Sequence, residues 1–205
     1  MRKFLGFTLA EVLITLGIIG VVAALTLPTL IQNYQKQVYV NQLKKAKSII
    51  EQGFHLAMAD DEVSSILDTT LFRSADDFDL FMNEFKKYFN VVKYKKFFDK
   101  EYELGYKKAS GKYFTSGEGD DRDAIWLNDG TILFTDFNQY GGDLSIDVNG
   151  DKGPNQLGRD RFFFLLDKHG IIKPMSGDCN PQGDGVDDTN GCAARIIENG
   201  WVMDY

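Results

Sequence analysis

The run from Phe7 to Ile31, FTLAEVLITLGIIGVVAALTLPTLI, limits what this chain can fold into more than any other feature. As a helix rising about 1.5 Å per residue it covers roughly 37 Å, against a hydrocarbon core of about 30 Å. A helix lying on a soluble core shows a polar face at period 3.6, and this run shows none before Gln32. Arg2 and Lys3 precede it, and the positive-inside rule keeps such an end in the cytoplasm. The remainder of the chain is then expected on the outer side of the membrane. Glu11 stands out, because an ionised side chain inside a membrane helix costs on the order of 2.5–3.5 kcal/mol.

Two ordinary readings leave Glu11 unexplained. One is a conventional signal peptide cut after the small residues Val22-Ala23-Ala24, which would release an exported soluble calcium-binding protein. The other is an uncleaved anchor carrying an adhesin or sensor domain. A third reading gives the acid a partner. If the chain is cut between Gly6 and Phe7, the new Phe7 ammonium lies one helical turn from Glu11. Between staggered copies, the ammonium of an incoming subunit neutralises the Glu11 of its neighbour. Such a pair enforces axial register, since a misplaced copy leaves a buried charge unpaired.

Arg2-Lys3 followed by Gly6-Phe7-Thr8-Leu9-Ala10-Glu11-Val12 resembles the class III signal of type IV pilins and type II secretion pseudopilins. The resemblance covers about the first thirty residues. It implies cleavage by a prepilin peptidase after Gly6, N-methylation of Phe7 and subunit assembly through Glu11. The proline this family often places in the helix corresponds to Pro28. Ala10 departs mildly from the pattern, where a larger aliphatic residue is usual. The implied partners are other copies of the chain, further pilins or pseudopilins, an inner-membrane assembly platform and the membrane itself. The implied course is a single-pass inner-membrane protein with a cytoplasmic N-terminus, later a pilus or pseudopilus filament. Pro28 removes one backbone hydrogen bond. With Gly17 and Gly20 upstream, it marks either a segment that softens during assembly or a simple kink.

Four segments are expected: a leader over 1–6, a membrane and assembly helix over 7–31, an amphipathic stalk over 32–60 and a globular head over 61–205. Tyr39, Leu43, Ala46, Ile50, Gly53 and Ala57 recur at alternating four- and three-residue steps, and the helix is expected to stop between Met58 and Asp61. Residues 64–98 read as helical again. Phe78, Phe81, Phe85 and Phe89 share a face there, and Ser74-Ala75-Asp76-Asp77 reads loosely as a capping box. Ala124–Leu127 and Thr131–Phe134 flank Asn128-Asp129-Gly130 as a hairpin, Leu144–Val148 forms a strand, and Phe162–Leu166 turns through His169 into Ile171-Ile172. This order predicts an α+β, pilin-like fold, a long N-terminal helix packed on a small antiparallel sheet.

The cysteines are Cys179 and Cys192, and export would let them close a loop worth roughly 3 kcal/mol. Zinc is disfavoured because the two histidines, His55 and His169, are remote from them. Asp147, Asn149 and Asp151 open a loop in the manner of an EF-hand, with Asp160 placed to close it. Lys152 stands where the turn glycine belongs, and Gly158 where the bidentate acid belongs. Two readings stand for this loop: a structural Ca²⁺ site, or a turn whose side chains bind their own backbone. Asp184, Asp187 and Asp188 lie in a second acidic loop that could hold a cation, though their spacing fits no metal template. No cofactor is otherwise required. No phosphate loop, zinc helix or serine-nucleophile motif is present, so no enzyme is expected. The net charge of −7 argues against a nucleic-acid-binding face. The expected function is a structural prepilin or pseudopilin subunit that polymerises through its N-terminal helix.

Overall fold

The computed structural model describes residues 8–96, 103–118, 122–185 and 187–205. The chain divides into two compact units, Met1–Val38 and Tyr39–Tyr205. Helix α1, Leu9–Asp60, contributes to both.

In the first unit α1 carries no charged residue from Val12 to Ile31. An 18-residue window reaches a mean hydropathy of 2.3 with none of it buried, so the helix is long and apolar enough to cross a membrane. Leu9, Leu13, Ile14, Ile18, Val21, Leu25 and Ile31 are all exposed. Water does not tolerate so continuous an apolar surface, which calls for lipid or other helices. Two of its threonines satisfy their hydroxyls on the helix's own backbone. Thr15 donates to the carbonyls of Glu11 and Val12 at 3.0 and 2.9 Å, and Thr26 to that of Val22 at 2.9 Å. The helix runs through Pro28 without interruption.

In the second unit the period changes and one stripe is buried: Tyr39, Val40, Leu43, Ala46, Ile50, Gly53, Phe54 and Ala57. It packs on a six-stranded antiparallel sheet in sequential order: β1 Val91–Lys95, β2 Asp123–Leu127, β3 Ile132–Asn138, β4 Gly141–Asp147, β5 Arg161–Leu166 and β6 Ile172–Pro174. Alternation sorts the strand residues into two layers. Ile125, Leu127, Leu133, Leu144, Ile146, Phe162, Phe164 and Ile172 join the stripe in the main core. Ala124, Trp126, Ile132, Phe134 and Phe163 face the other way, beneath Tyr106, Phe114 and Leu157. Burial on both faces accounts for Phe162, Phe163, Phe164 and Leu166 in the apolar run of β5, whose Leu165 is exposed.

The segment between stalk and sheet differs from the expectation of one helical stretch over 64–98. A 3₁₀ turn at Ile66–Asp68 and a single turn α2, Thr70–Arg73, lead into α3, Phe78–Tyr88; Val91–Lys95 is then a strand. The remainder of that stretch, from Phe97, lies outside the described residues. Asp77, not Ser74, caps α3, its Oδ1 accepting from the amides of Asp79 and Leu80 at 3.0 and 3.2 Å. Ser74 instead ends α2. Phe78, Phe81, Phe85 and Phe89 are buried as a face, with Phe85 stacked on Phe89 at 4.1 Å. Beyond β6 lies a further helix, α4, Cys192–Glu198, whose Cys192, Ala193 and Ile196 enter the main core.

Candidate functional site

The start of α1 holds Glu11. Its Oε2 accepts from the Thr8 amide at 2.8 Å and from the Thr8 hydroxyl at 2.9 Å, while Thr8 Oγ1 accepts from the Glu11 amide at 3.2 Å. This is a reciprocal capping box, which satisfies donors that a helix start otherwise leaves open. Thr-x-x-Glu is a readable signature, and sequence reasoning that looked only for a charge partner passed over Thr8. The cap engages one carboxylate oxygen; among the described residues no bond is made by Oε1. Local capping and an ion pair with a second chain are therefore compatible. Gly6 and Phe7, the expected cleavage and methylation positions, lie outside the described residues. A Cβ at Gly17 or Gly20 would meet nothing within 4 Å, so the single chain makes no steric demand for glycine there.

In the head, Cys179 and Cys192 form a disulfide with their Cα atoms 4.6 Å apart. It joins the loop after β6 to the first residue of α4, and Cys192 is fully buried. Around it, Gly191 carries no Cβ because one would lie 2.0 Å from the Gly177 carbonyl oxygen.

Asp147 ends β4 and Asp160 precedes β5, both fully buried. Asp147 Oδ1 accepts from the amides of Asn149 and Gly150 at 3.0 and 2.7 Å, and its Oδ2 from the Tyr106 hydroxyl. Asp160 accepts from the amides of Asn155 and Gln156 at 2.8 and 2.7 Å. Asn149 Nδ2 donates to the carbonyls of Lys152 and Gly153. Asp151 turns away to accept from Trp126 Nε1 at 3.2 Å, with Lys93 at 3.8 Å. The four expected calcium ligands thus serve the loop's own backbone and nearby side chains, with Asp151 on a separate partner. Among the described residues no group of three or more His, Cys, Asp or Glu is placed to hold a metal ion. A Ca²⁺ cage needs six to eight oxygens converging on one point; here Asp151 faces away, while the buried Oδ1 atoms of Asn149 and Asn155 have no hydrogen-bond partner among the described residues.

The same loop is electrostatically loaded. Burial, and then repulsion from Asp160, push the Asp147 carboxyl up to about 7. Burial raises Asp160 as well, and raises the Tyr106 hydroxyl further above its ordinary range. Arg161, the cross-strand partner of Asp147, is fully buried, with its guanidinium 4.1 Å from the Phe134 ring centre and Nε donating to Ser145 Oγ at 2.8 Å. The second acidic loop is also internally engaged. Asp184 meets Ser110 and Lys112, Asp187 accepts from the Asn190 side chain, and Asp188 accepts from the Gly185 amide. These arrangements stabilise a head; none supplies a nucleophile beside a base.

No curated protein and no solved structure matches the chain. The family model of the prokaryotic N-terminal methylation motif matches residues 1–27. The chain therefore carries, at its amino terminus, the class III signal of the type IV pilin and pseudopilin family.

Proposed function

We propose that the chain is a structural subunit which is cut between Gly6 and Phe7, methylated on Phe7, and polymerised through α1 into a type IV pilus or a secretion pseudopilus. The observation that carries this reading is the methylation motif over residues 1–27, joined to an apolar helix exposed on every side. Residues 7–31 hold the subunit in the inner membrane, residues 32–60 form the stalk, and the head from residue 61 faces outward. Hydrolysis of the Gly6–Phe7 bond creates an ammonium that a neighbouring Glu11 neutralises through the carboxylate oxygen its own cap does not use. The prepilin peptidase, further pilins and the membrane assembly platform are the partners this requires. Gly17, Gly20 and Pro28 let α1 soften as a subunit leaves lipid for the filament.

The experiment is mass spectrometry of the mature N-terminus. N-methylated Phe7 is expected. A start near Leu25 would instead mark an exported soluble protein, and retained Met1 an uncleaved anchor; either result overturns the proposal.

A further inference from the structure

The two edges of the sheet are finished differently. At β6 both outward positions are closed: the Ile172 amide donates to Glu51 Oε1 of the stalk at 3.0 Å, and Pro174 has no amide to offer. At β1, the other end of the sheet order, the ladder stops on an open strand. The Leu127 amide donates to the Thr131 carbonyl at 2.9 Å, away from β1, so alternation aims the backbone of Trp126 at β1. Trp126 pairs with Lys93, and the next residue, Tyr94, therefore turns its amide and carbonyl to the open edge. Among the described residues no group bonds to that amide or carbonyl.

The side chains along this edge decide what can pair with it. Residues 86–96 contain five lysines and no acid. Lys93 and Lys95 lie on one face of β1, where Lys93 covers the Trp126 ring at 4.3 Å. Tyr94 and Lys96 lie on the other face, against the Phe78 ring, with Lys86 of α3 placed 4.3 Å from the Tyr94 ring centre. Lys93 and Lys95 meet Asp151 and Glu103 at 3.8 and 3.2 Å, with their own side chains more than half exposed. Exposed pairs of this kind yield readily to a competitor. Two β1 edges joined about a two-fold axis would set lysine against lysine, and like charges directly opposite are destabilising. The charge pattern therefore disfavours a second copy of this chain and suits a strand with an acid at every second residue. One face of such a strand meets Lys93 and Lys95, and the other lies beside Tyr94.

We propose that β1 receives an extended acidic segment of a different protein as a seventh strand. Backbone bonds to Tyr94 hold the segment, and the lysines select its charge. The inference concerns the head alone and does not depend on how α1 polymerises.

The test uses the full chain in detergent and a labelled octapeptide of alternating glutamate and valine. Fluorescence anisotropy is expected to show saturable binding. Exchange of the Tyr94 amide hydrogen, followed by NMR, is expected to slow about tenfold at saturation. N-methylation of every peptide amide leaves the charge unaltered and should abolish binding, as should replacing the glutamates by lysines. Lys93→Glu combined with Lys95→Glu should shift the preference about tenfold toward the lysine peptide. Three results overturn the proposal: no saturable binding; binding that survives N-methylation, as a general polyanion patch would give; or a Tyr94 amide already protected in a concentration-dependent dimer.

Discussion

Replacing Gly53 with alanine tests how tightly the stalk is seated on the head. Alanine favours a helix over glycine by about 0.8–1 kcal/mol, so on propensity alone the variant should be more stable. The packing opposes that gain. A Cβ at Gly53 would lie 2.2, 2.3 and 2.9 Å from three atoms of the Phe89 ring. Ordinary carbon contacts sit at about 3.5–4.0 Å, so the ring must retreat by roughly 1.5 Å. Phe89 has little room to do so, being 5% exposed, stacked on Phe85 at 4.1 Å and set edge-on to Phe54 at 5.6 Å. Overpacking of this kind costs about 1–3 kcal/mol, and a contact this short belongs at the upper end. The net expectation is a loss of about 1–2 kcal/mol. At about 2–4 °C per kcal/mol for a head of this size, the melting temperature falls by roughly 2–8 °C. The assay is near-ultraviolet circular dichroism on the full chain in detergent. In a Phe89→Leu background the same substitution should become neutral or stabilising, because the obstacle is gone. A Gly53→Ala variant that melts higher than the parent would show that Phe89 is not pinned, and the reasoning fails.

Other expectations follow from the loops and caps. Cys192→Ser opens a loop whose ends are 13 residues apart and should destabilise the head by about 3 kcal/mol, measured by urea unfolding; an unchanged midpoint contradicts this. Asp147, pushed up to about 7, keeps in the fold a proton that the unfolded chain releases near pH 4. Its contribution to stability is therefore fully present below that pH and declines as pH rises toward 7, and Asp147→Asn should remove that decline in melts from pH 4 to 8. Asp77→Ala removes the α3 cap and should lower stability by about 1 kcal/mol, with the core aromatic signal retained in the native state. Millimolar Ca²⁺ should leave the melting temperature of the full chain unchanged, and a rise of several degrees would show that the Asp147 loop rearranges into a cation site.

The elements with one dominant period were legible in the sequence. Helix α1 ends at Asp60, inside the expected window, and its stripe is buried as spaced. Both hairpins that turn through a glycine, at Gly130 and Gly170, occur where expected. Elements shaped by tertiary contact were not. VVKYK follows directly on a phenylalanine helix face, and its strand character comes from pairing with β2 across a register shift at Val91 and Lys93. The β3–β4 hairpin needs φ +119 at Gly141 and +148 at Gly142, in a stretch with no Asn-Gly signal. Helix α4 is only seven residues long, too short to be stable alone, and is held by the disulfide and by core contacts. The candidate site divides the same way. The charge of Glu11 within an apolar run was visible in the sequence, whereas its bond to Thr8 needed the helix start to be placed. The acidic loop showed its oxygens in the sequence but not their direction, which β4 and β5 impose.

Glu11→Gln separates the two roles the carboxylate can play. Glutamine preserves the capping box with Thr8 and removes the charge that would meet a neighbour's Phe7 ammonium. The measurement is the yield of sheared filaments relative to cleaved subunit in the membrane, for the parent and for Glu11→Gln. Normal cleavage after Gly6 is expected, with filament yield reduced to background. Filaments at parental yield from the glutamine chain would mean that Glu11 only caps a helix, and would contradict assembly by charge pairing.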